Sequence, residues 1–209
     1  MIRAAPYLRT CSLAKQLLPP DCGAQLVEFA VSLPLLVLFV VGIFDFSGAF
    51  TLKQKLTNVA RDAARVAAAD PSADVGNLTS GVPSSVSEAL KVVDSYLTAN
   101  RLNDCGLSTK TPSRSGVTWT YTIAPTGNPP CGITLIINRG YVFPITSTTP
   151  PDARTCLSQA PGSQTALVGT CVSVQYAYNW KFARVASLFG RNDSLPTEIS
   201  AVAVALNEN

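Results

Sequence analysis

The hydrophobic pattern divides the chain into three regimes. From Leu26 to Phe50 nearly every position is apolar, with Glu28, Ser32, Asp45 and Ser47 as the polar exceptions. The uncharged run Phe29 to Phe44 is 16 residues, roughly 24 Å of α-helix. That is slightly short of a hydrocarbon core of about 30 Å, and Glu28 and Asp45 at the two interfaces would let it reach. Pro34 lacks an N–H, so the carbonyl of Ala30 is expected to go unpaired and the helix to kink or loosen there. Beyond Phe50 the period stays helical but becomes two-faced: Leu52, Leu56, Val59, Ala63 and Val66 recur on one face, and Gln54, Asn58, Arg61 and Arg65 on another. Asp70-Pro71 should stop it. One helix from Leu26 to Ala69 would be roughly 66 Å long, so its second half must pack on something. Ala60, Ala63, Ala64, Ala67 and Ala68 would allow close approach of a sheet or of other helices, or simply supply helix propensity.

After a polar connector from Pro71 to Pro83, Ser85-Val86-Ser87-Glu88 reads as a capping box. Val86, Ala89, Leu90, Val93 and Leu97 then form the apolar stripe of a second helix ending near Asn100. From Val117 the period falls to two. Val117, Trp119, Tyr121 and Ile123 alternate with threonines as in a half-buried antiparallel strand. Ile133 to Ile137 and Tyr141 to Phe143 suggest two strands separated by an Asn138-Arg139-Gly140 turn. Val172, Val174, Tyr176 and Tyr178 alternate again, and Glu198 to Leu206 makes a last strand with Val202, Val204 and Leu206 on one face. Phe182 to Phe189 reads as a short helix closed by Gly190. The expected fold class is α+β: a long N-terminal transmembrane helix that continues outside the membrane, packed against a small, mainly antiparallel sheet head with one extra helix. The expected division is a leader, 1–23, the long helix, 24–70, and an outer α+β domain, 71–209, with a loop-rich insertion at 100–170.

Composition narrows the chemistry. The 209 residues contain no histidine, so the commonest general base, proton shuttle and zinc ligand is missing. Neither a glycine-rich phosphate loop nor paired catalytic carboxylates nor a nucleophile elbow is present. No enzyme activity, cofactor, metal or small-molecule substrate is expected. The net charge of +3 comes without a dense Lys/Arg block, which argues against nucleic acid as a partner. Of six cysteines, Cys11 and Cys22 precede the apolar run, while Cys105, Cys131, Cys156 and Cys171 follow it. Four cysteines beyond a single membrane segment, none in Cys-x-x-Cys spacing, read as two disulfides made in an oxidising compartment, with three possible connectivities. Neighbour pairing, Cys105 with Cys131 and Cys156 with Cys171, is one of them. Basic residues flank the apolar run on both sides, so they do not orient it. The cysteines do, by placing the C-terminal region outside.

Glu28 is the costliest residue in this pattern, an ionisable group at the mouth of a membrane-length helix, five residues after Gly23. A basic leader, a glycine, a glutamate at the fifth position after it and an apolar helix together resemble the processing site of type IV pilins. More narrowly, Val27-Glu28-Phe29-Ala30 with Leu33-Pro34, and then Thr57-Asn58-Val59-Ala60-Arg61-Asp62-Ala63-Ala64-Arg65, resemble the TadE-like and TadG-like minor pilins of tight-adherence pilus systems. The ending from Cys171 to Leu206 is similar to the C-terminal half of TadE-like proteins. Two positions depart from the pattern: Asp21-Cys22 stands where many relatives carry basic residues, and Phe29 where major pilins often have tyrosine.

The resemblance implies a bacterial inner-membrane, single-pass structural subunit with its C-terminal domain outside the cytoplasm. It implies removal of the leader after Gly23 by a prepilin peptidase, with Ala24 as the new N-terminus. The α-amine of Ala24 and the Glu28 carboxylate, four residues apart, would share a helix face and offset each other's desolvation. Expected partners are the membrane, other pilins, pilus platform proteins and the peptidase, with assembly of a Tad-type pilus or a related secretion system as the role. Two alternatives stand beside it. One is a permanently anchored extracytoplasmic binding domain outside any filament. The other is a secreted domain released at Ala49, because Ser47-Gly48-Ala49 has the small residues of a signal-peptidase site. A lipoprotein site at Cys22 is disfavoured by Pro19-Pro20-Asp21 before it. The glycosylation sequons at Asn77 and Asn192 matter only in a host that modifies exported asparagines.

Overall fold

The computed structural model describes residues 21–71, 73–76, 81–127, 130–144, 155–156, 166–181 and 196–207. The leader through residue 20, both sequons and the helix expected at Phe182 to Phe189 fall outside them. Helix α1 runs Asp21–Ala69 and passes through Pro34 without interruption. The chain divides into two compact units, 1–44 and 45–209. In the first, the α1 side chains described are almost all exposed. The second contains the rest of α1, the short helix α2 (Ala73–Gly76), helix α3 (Ser84–Ala99) and strands β1 (Ser113–Ser115), β2 (Thr118–Thr126), β3 (Cys131–Pro144), β4 (Ala166–Ala177) and β5 (Glu198–Leu206).

The five strands form one antiparallel meander in the order β1-β2-β3-β4-β5. The register carries a row of buried side chains across it, Tyr121 opposite Leu135, Leu135 opposite Val174, and Val174 opposite Ala201. This face joins Leu52, Leu56, Val59, Ala60, Ala63, Ala64 and Ala67 of α1 and Val86, Ala89, Val93 and Leu97 of α3 in one core. The alanines of α1 are therefore packing residues: a row of methyl groups lets a helix backbone approach other elements closely. Val66, expected in the stripe, is exposed instead, and Ala67 takes the inward position. Val202 and Val204 of β5 face the other way. They pack with Ile136, Tyr141, Cys156 and Cys171 in a second, smaller cluster, while Ile199 and Ala201 serve the main core.

Two disulfides tie the head together, Cys105–Cys131 and Cys156–Cys171. The first joins the segment after α3 to the start of β3. The second joins the segment at 155–156 to the middle of β4, within the second cluster. Closing loops of 26 and 15 residues, each stabilises by about 3 kcal/mol in the chain-entropy model.

The start of α3 departs from the sequence reading. Its N-cap is Pro83, with no side-chain cap; Ser85 lies inside the helix and is fully buried. Asp74 of α2 does the capping instead, its Oδ2 accepting the Ser85 backbone N–H at 3.1 Å, a carboxylate placed where the helix dipole favours it. Glu88 turns to Lys91 at 2.8 Å in an exposed pair worth little. At the other end, Arg101 takes the left-handed conformation (φ 57). Leu102 then donates its N–H to the Leu97 carbonyl and Arg101 to that of Thr98, a Schellman closure without its usual glycine.

The expected Asn138-Arg139-Gly140 turn is not a turn. Strand β3 is continuous from Cys131 to Pro144, with a register shift between Asn138 and Tyr141 on its pairing to β4. The extra residue explains how Ile136 and Tyr141, five apart, share the second cluster. Asn138 stabilises this bulge from within. Its Oδ1 accepts the Gly140 N–H at 2.9 Å, and its Nδ2 donates to the Cys156 carbonyl at 3.0 Å. Gly140 is required because a Cβ there would stand 2.6 Å from Val117 Cγ2.

Arg139 continues the inward series Ile133, Leu135, Ile137 and is 3% exposed. Its guanidinium reaches the C-terminal end of α1. Nη1 donates to the carbonyl of Ala67 and to Thr170 Oγ1 (2.9 Å), and Nη2 to the carbonyl of Asp70 (2.9 Å). Asp74 lies 3.5 Å from Nη2, an ion pair without hydrogen-bond geometry. Asn207 closes the ring by accepting from Thr170 at 2.6 Å and donating to the Arg139 carbonyl at 3.1 Å. Helix α1 has no basic residue in its own last turn, so a cation from β3 satisfies its orphan carbonyls and its dipole. Replacing Arg139 by leucine should cost about 3 kcal/mol or more, because the carbonyls of Ala67 and Asp70 lose their donor and Asp74 loses its counter-charge. Denaturant unfolding in detergent micelles would measure this. Hydrogen exchange should show the α1 end opening first, and a lysine at the position should restore only part of the loss.

Candidate functional site: the processing segment and the buried Asp45

The sequence singles out Gly23, Ala24 and Glu28. All three lie on α1, and Ala24 and Glu28 are one turn apart, so the helix gives them a shared face. Glu28 is exposed, and its backbone carbonyl accepts the Ser32 hydroxyl at 2.7 Å. Around it the helix shows apolar side chains to the outside. Phe29, Leu36, Phe39 and Ile43 are all exposed, and Phe44 is 72% exposed. By length and composition the helix from Leu26 to Ala69 can cross a membrane. In water so large an apolar surface would be strongly unfavourable.

Asp45, expected to sit at an interface with no further partner, has one. It is 6% exposed, and the Tyr178 hydroxyl lies 3.2 Å from its Oδ1 and 3.0 Å from its backbone carbonyl. Sequence reasoning missed this pair because its members are 133 positions apart, and nothing local distinguishes Tyr178, just beyond β4, from Tyr176 within it. The approach is close: a Cβ on Gly48 would stand 3.0 Å from the Tyr178 hydroxyl. Trp180 continues the cluster. Its Nε1 donates to the Pro196 carbonyl at 2.6 Å, and its ring meets Tyr178 and Phe46 edge-on at centroid distances of 4.9 and 5.4 Å.

Burial and the neighbouring Asp45 carboxylate push the Tyr178 phenol above its ordinary range. A second shift concerns Asp94 on α3, whose carboxyl is raised by burial and by the Asp104 carboxylate beside it. Among the described residues no group of three or more His, Cys, Asp or Glu is placed to hold a metal ion.

Residues 23–65 match the family model described as TadE-like protein. The match covers roughly a fifth of the chain, all of it on α1, and includes Gly23, Ala24, Glu28, Asp45 and the alanine face up to Ala64. The family is a structural, non-enzymatic one associated with pili. No curated protein and no solved structure matches the chain.

Tyr178→Phe should cost about 1–2 kcal/mol, from taking one hydroxyl donor away from the buried Asp45. Because the Tyr178 phenol is raised in the fold, its contribution is fully present below the unfolded tyrosine value of about 10 and is lost as pH rises through the folded value. Burial raises Tyr121, Tyr141 and Tyr176 as well, so unfolding followed from neutral to alkaline pH should show a stability decline in both proteins, steeper in the parent than in the phenylalanine variant.

Proposed function

We propose that this chain is a minor pilin or pseudopilin, a membrane-anchored structural subunit without catalytic activity that takes part in assembling a Tad-type pilus or related secretion system. The observation that carries this reading is the coincidence on α1 of the family match with an apolar surface left exposed around Glu28. Such a helix has two natural environments, lipid before assembly and the apolar helices of other subunits after it. The two disulfides support placement of the head in an oxidising compartment, outside the bacterial inner membrane.

In this reading a prepilin peptidase cuts after Gly23, and the freed Ala24 amine pairs with a Glu28 carboxylate. Between neighbouring subunits that pair fixes register, since a charge left unpaired among apolar helices is costly. The platform proteins of the pilus and other pilins are the remaining partners. Release at Ala49 fares poorly against the packing. Ala49 is itself a buried core residue, and cleavage there would remove Asp45 from Tyr178 and expose Leu52.

The decisive experiment is the intact mass and N-terminal sequence of the membrane-associated protein from its native host. A start at Ala24 is expected, and Gly23→Leu should leave the precursor at full length. A start at Met1 would replace this reading by a fixed anchor, and a start at Phe50 by a secreted domain. Glu28→Ala should leave processing intact and lower incorporation into pili, scored by the fraction of subunit in sheared filaments.

A further inference from the structure

The apolar surface of α1 does not stop where the folded head begins. Phe46 and Phe50, both within the unit that starts at Asp45, are 60% and 64% exposed. They stand one turn apart on the same helix face. Asp45, the residue that would put a charge among them, is withdrawn: it is buried, with the Tyr178 hydroxyl on its carboxylate. Trp180 turns its N–H inward to the Pro196 carbonyl and lays its ring edge against Phe46. The polar handles of both aromatic residues are thus satisfied inside the head, beside phenylalanine rings that face outward.

We infer that this end of the head, formed by Phe46, Phe50, Tyr178 and Trp180, is seated in the interfacial layer of the phospholipid bilayer. The inference rests on the membrane-anchor reading above and deepens it by naming the lipid surface as a partner of the head. Three arguments favour lipid as the occupant. The first is length. The uncharged run from Phe29 to Phe44 falls about 6 Å short of a hydrocarbon core, whereas the same helix followed to Phe50 gives roughly 33 Å. Covering Asp45 is what makes that longer stretch apolar.

The second argument is residue type, since tryptophan and tyrosine gather where hydrocarbon gives way to headgroups. The third is charge. Lys53 lies one turn beyond Ala49, with its ammonium on the Ser200 carbonyl, and the exposed Lys181 follows Trp180. Ammonium groups on long stems suit the level of lipid phosphates.

The test uses the full chain reconstituted into vesicles of phosphatidylethanolamine and phosphatidylglycerol whose acyl chains carry bromine at a chosen depth. Trp119 is 1% exposed and Trp180 is 9% exposed, but Trp180 lies edge-on against the outward-facing Phe46, so Trp180 is the reporter nearer the lipid; Trp119→Phe removes the background. The seat predicts a loss of Trp180 emission that is greatest with bromine near the headgroup end of the acyl chain and smallest with bromine near the methyl end. Phe46→Ser with Phe50→Ser should shrink that loss while the chain resists alkaline extraction. If Trp119→Phe fails to fold, the parent chain gives the same comparison over the constant Trp119 emission.

Absence of quenching at every depth, in a chain that still resists extraction, would overturn the seat and leave the anchor standing. Emission that changes with the protein-to-lipid ratio and not with bromine depth would assign the patch to a second copy of the chain and overturn it too. A chain that washes off the vesicles would overturn both readings together.

Discussion

The buried guanidinium of Arg139 is the interaction on which the head depends. A helix that ends against a sheet leaves carbonyls in a place water cannot reach, and α1 has no basic residue in its last turn to meet them. Arg139 meets them from β3, with Thr170 of β4, Asn207 beyond β5 and Asp74 of α2 gathered around it. Five separate elements or connections therefore converge on one side chain. An arginine suits the role because its planar fork offers several donors at fixed angles and stays charged when buried.

That clamp sits within the bulge in β3, and the bulge is tied to the second disulfide. Asn138 holds the Gly140 N–H with one side-chain atom and the Cys156 carbonyl with another, and Cys156 is bonded to Cys171 on β4. The covalent tie on one face of the sheet is thereby connected to the helix end on the other. The Cys105–Cys131 bond fixes the entry to β3 in the same way. A head with little charge and a sheet only five strands wide gains rigidity from these links that its apolar area alone would supply less securely.

Along α1 the same backbone serves two solvents. From Leu26 to Phe44 most side chains are apolar and exposed; from Leu52 onward the inward face, Leu52, Leu56 and Val59 and then alanines, is covered by the head. Asp45 marks the change. A carboxylate at that point is tolerated because Tyr178 supplies a donor, and with the charge covered the outward apolar face continues through Phe46 and Phe50. The match to the TadE-like family model, residues 23–65, spans the whole of this transition.

Periodicity alone determined most of the architecture. The long helix and its stop at Asp70-Pro71, the stripe of α3, the strands around Trp119, Val174 and Val204, and the α+β class all follow from spacings of 3.6 and 2, because each such element must bury one face. The Gly23 to Glu28 segment stands out in the sequence for a related reason, since a carboxylate inside an apolar run is costly, and its processing is the proposal made above. What the tertiary structure decided is everything that depends on partners far away in sequence. Asp45 finds Tyr178, Ser85 finds Asp74, and Arg139, read locally as part of a polar turn, becomes the buried cap of a helix about 70 positions earlier. Local pattern carries no term for these contacts. A polar residue in a strand reads as a turn until the fold supplies the acceptors that make its burial favourable.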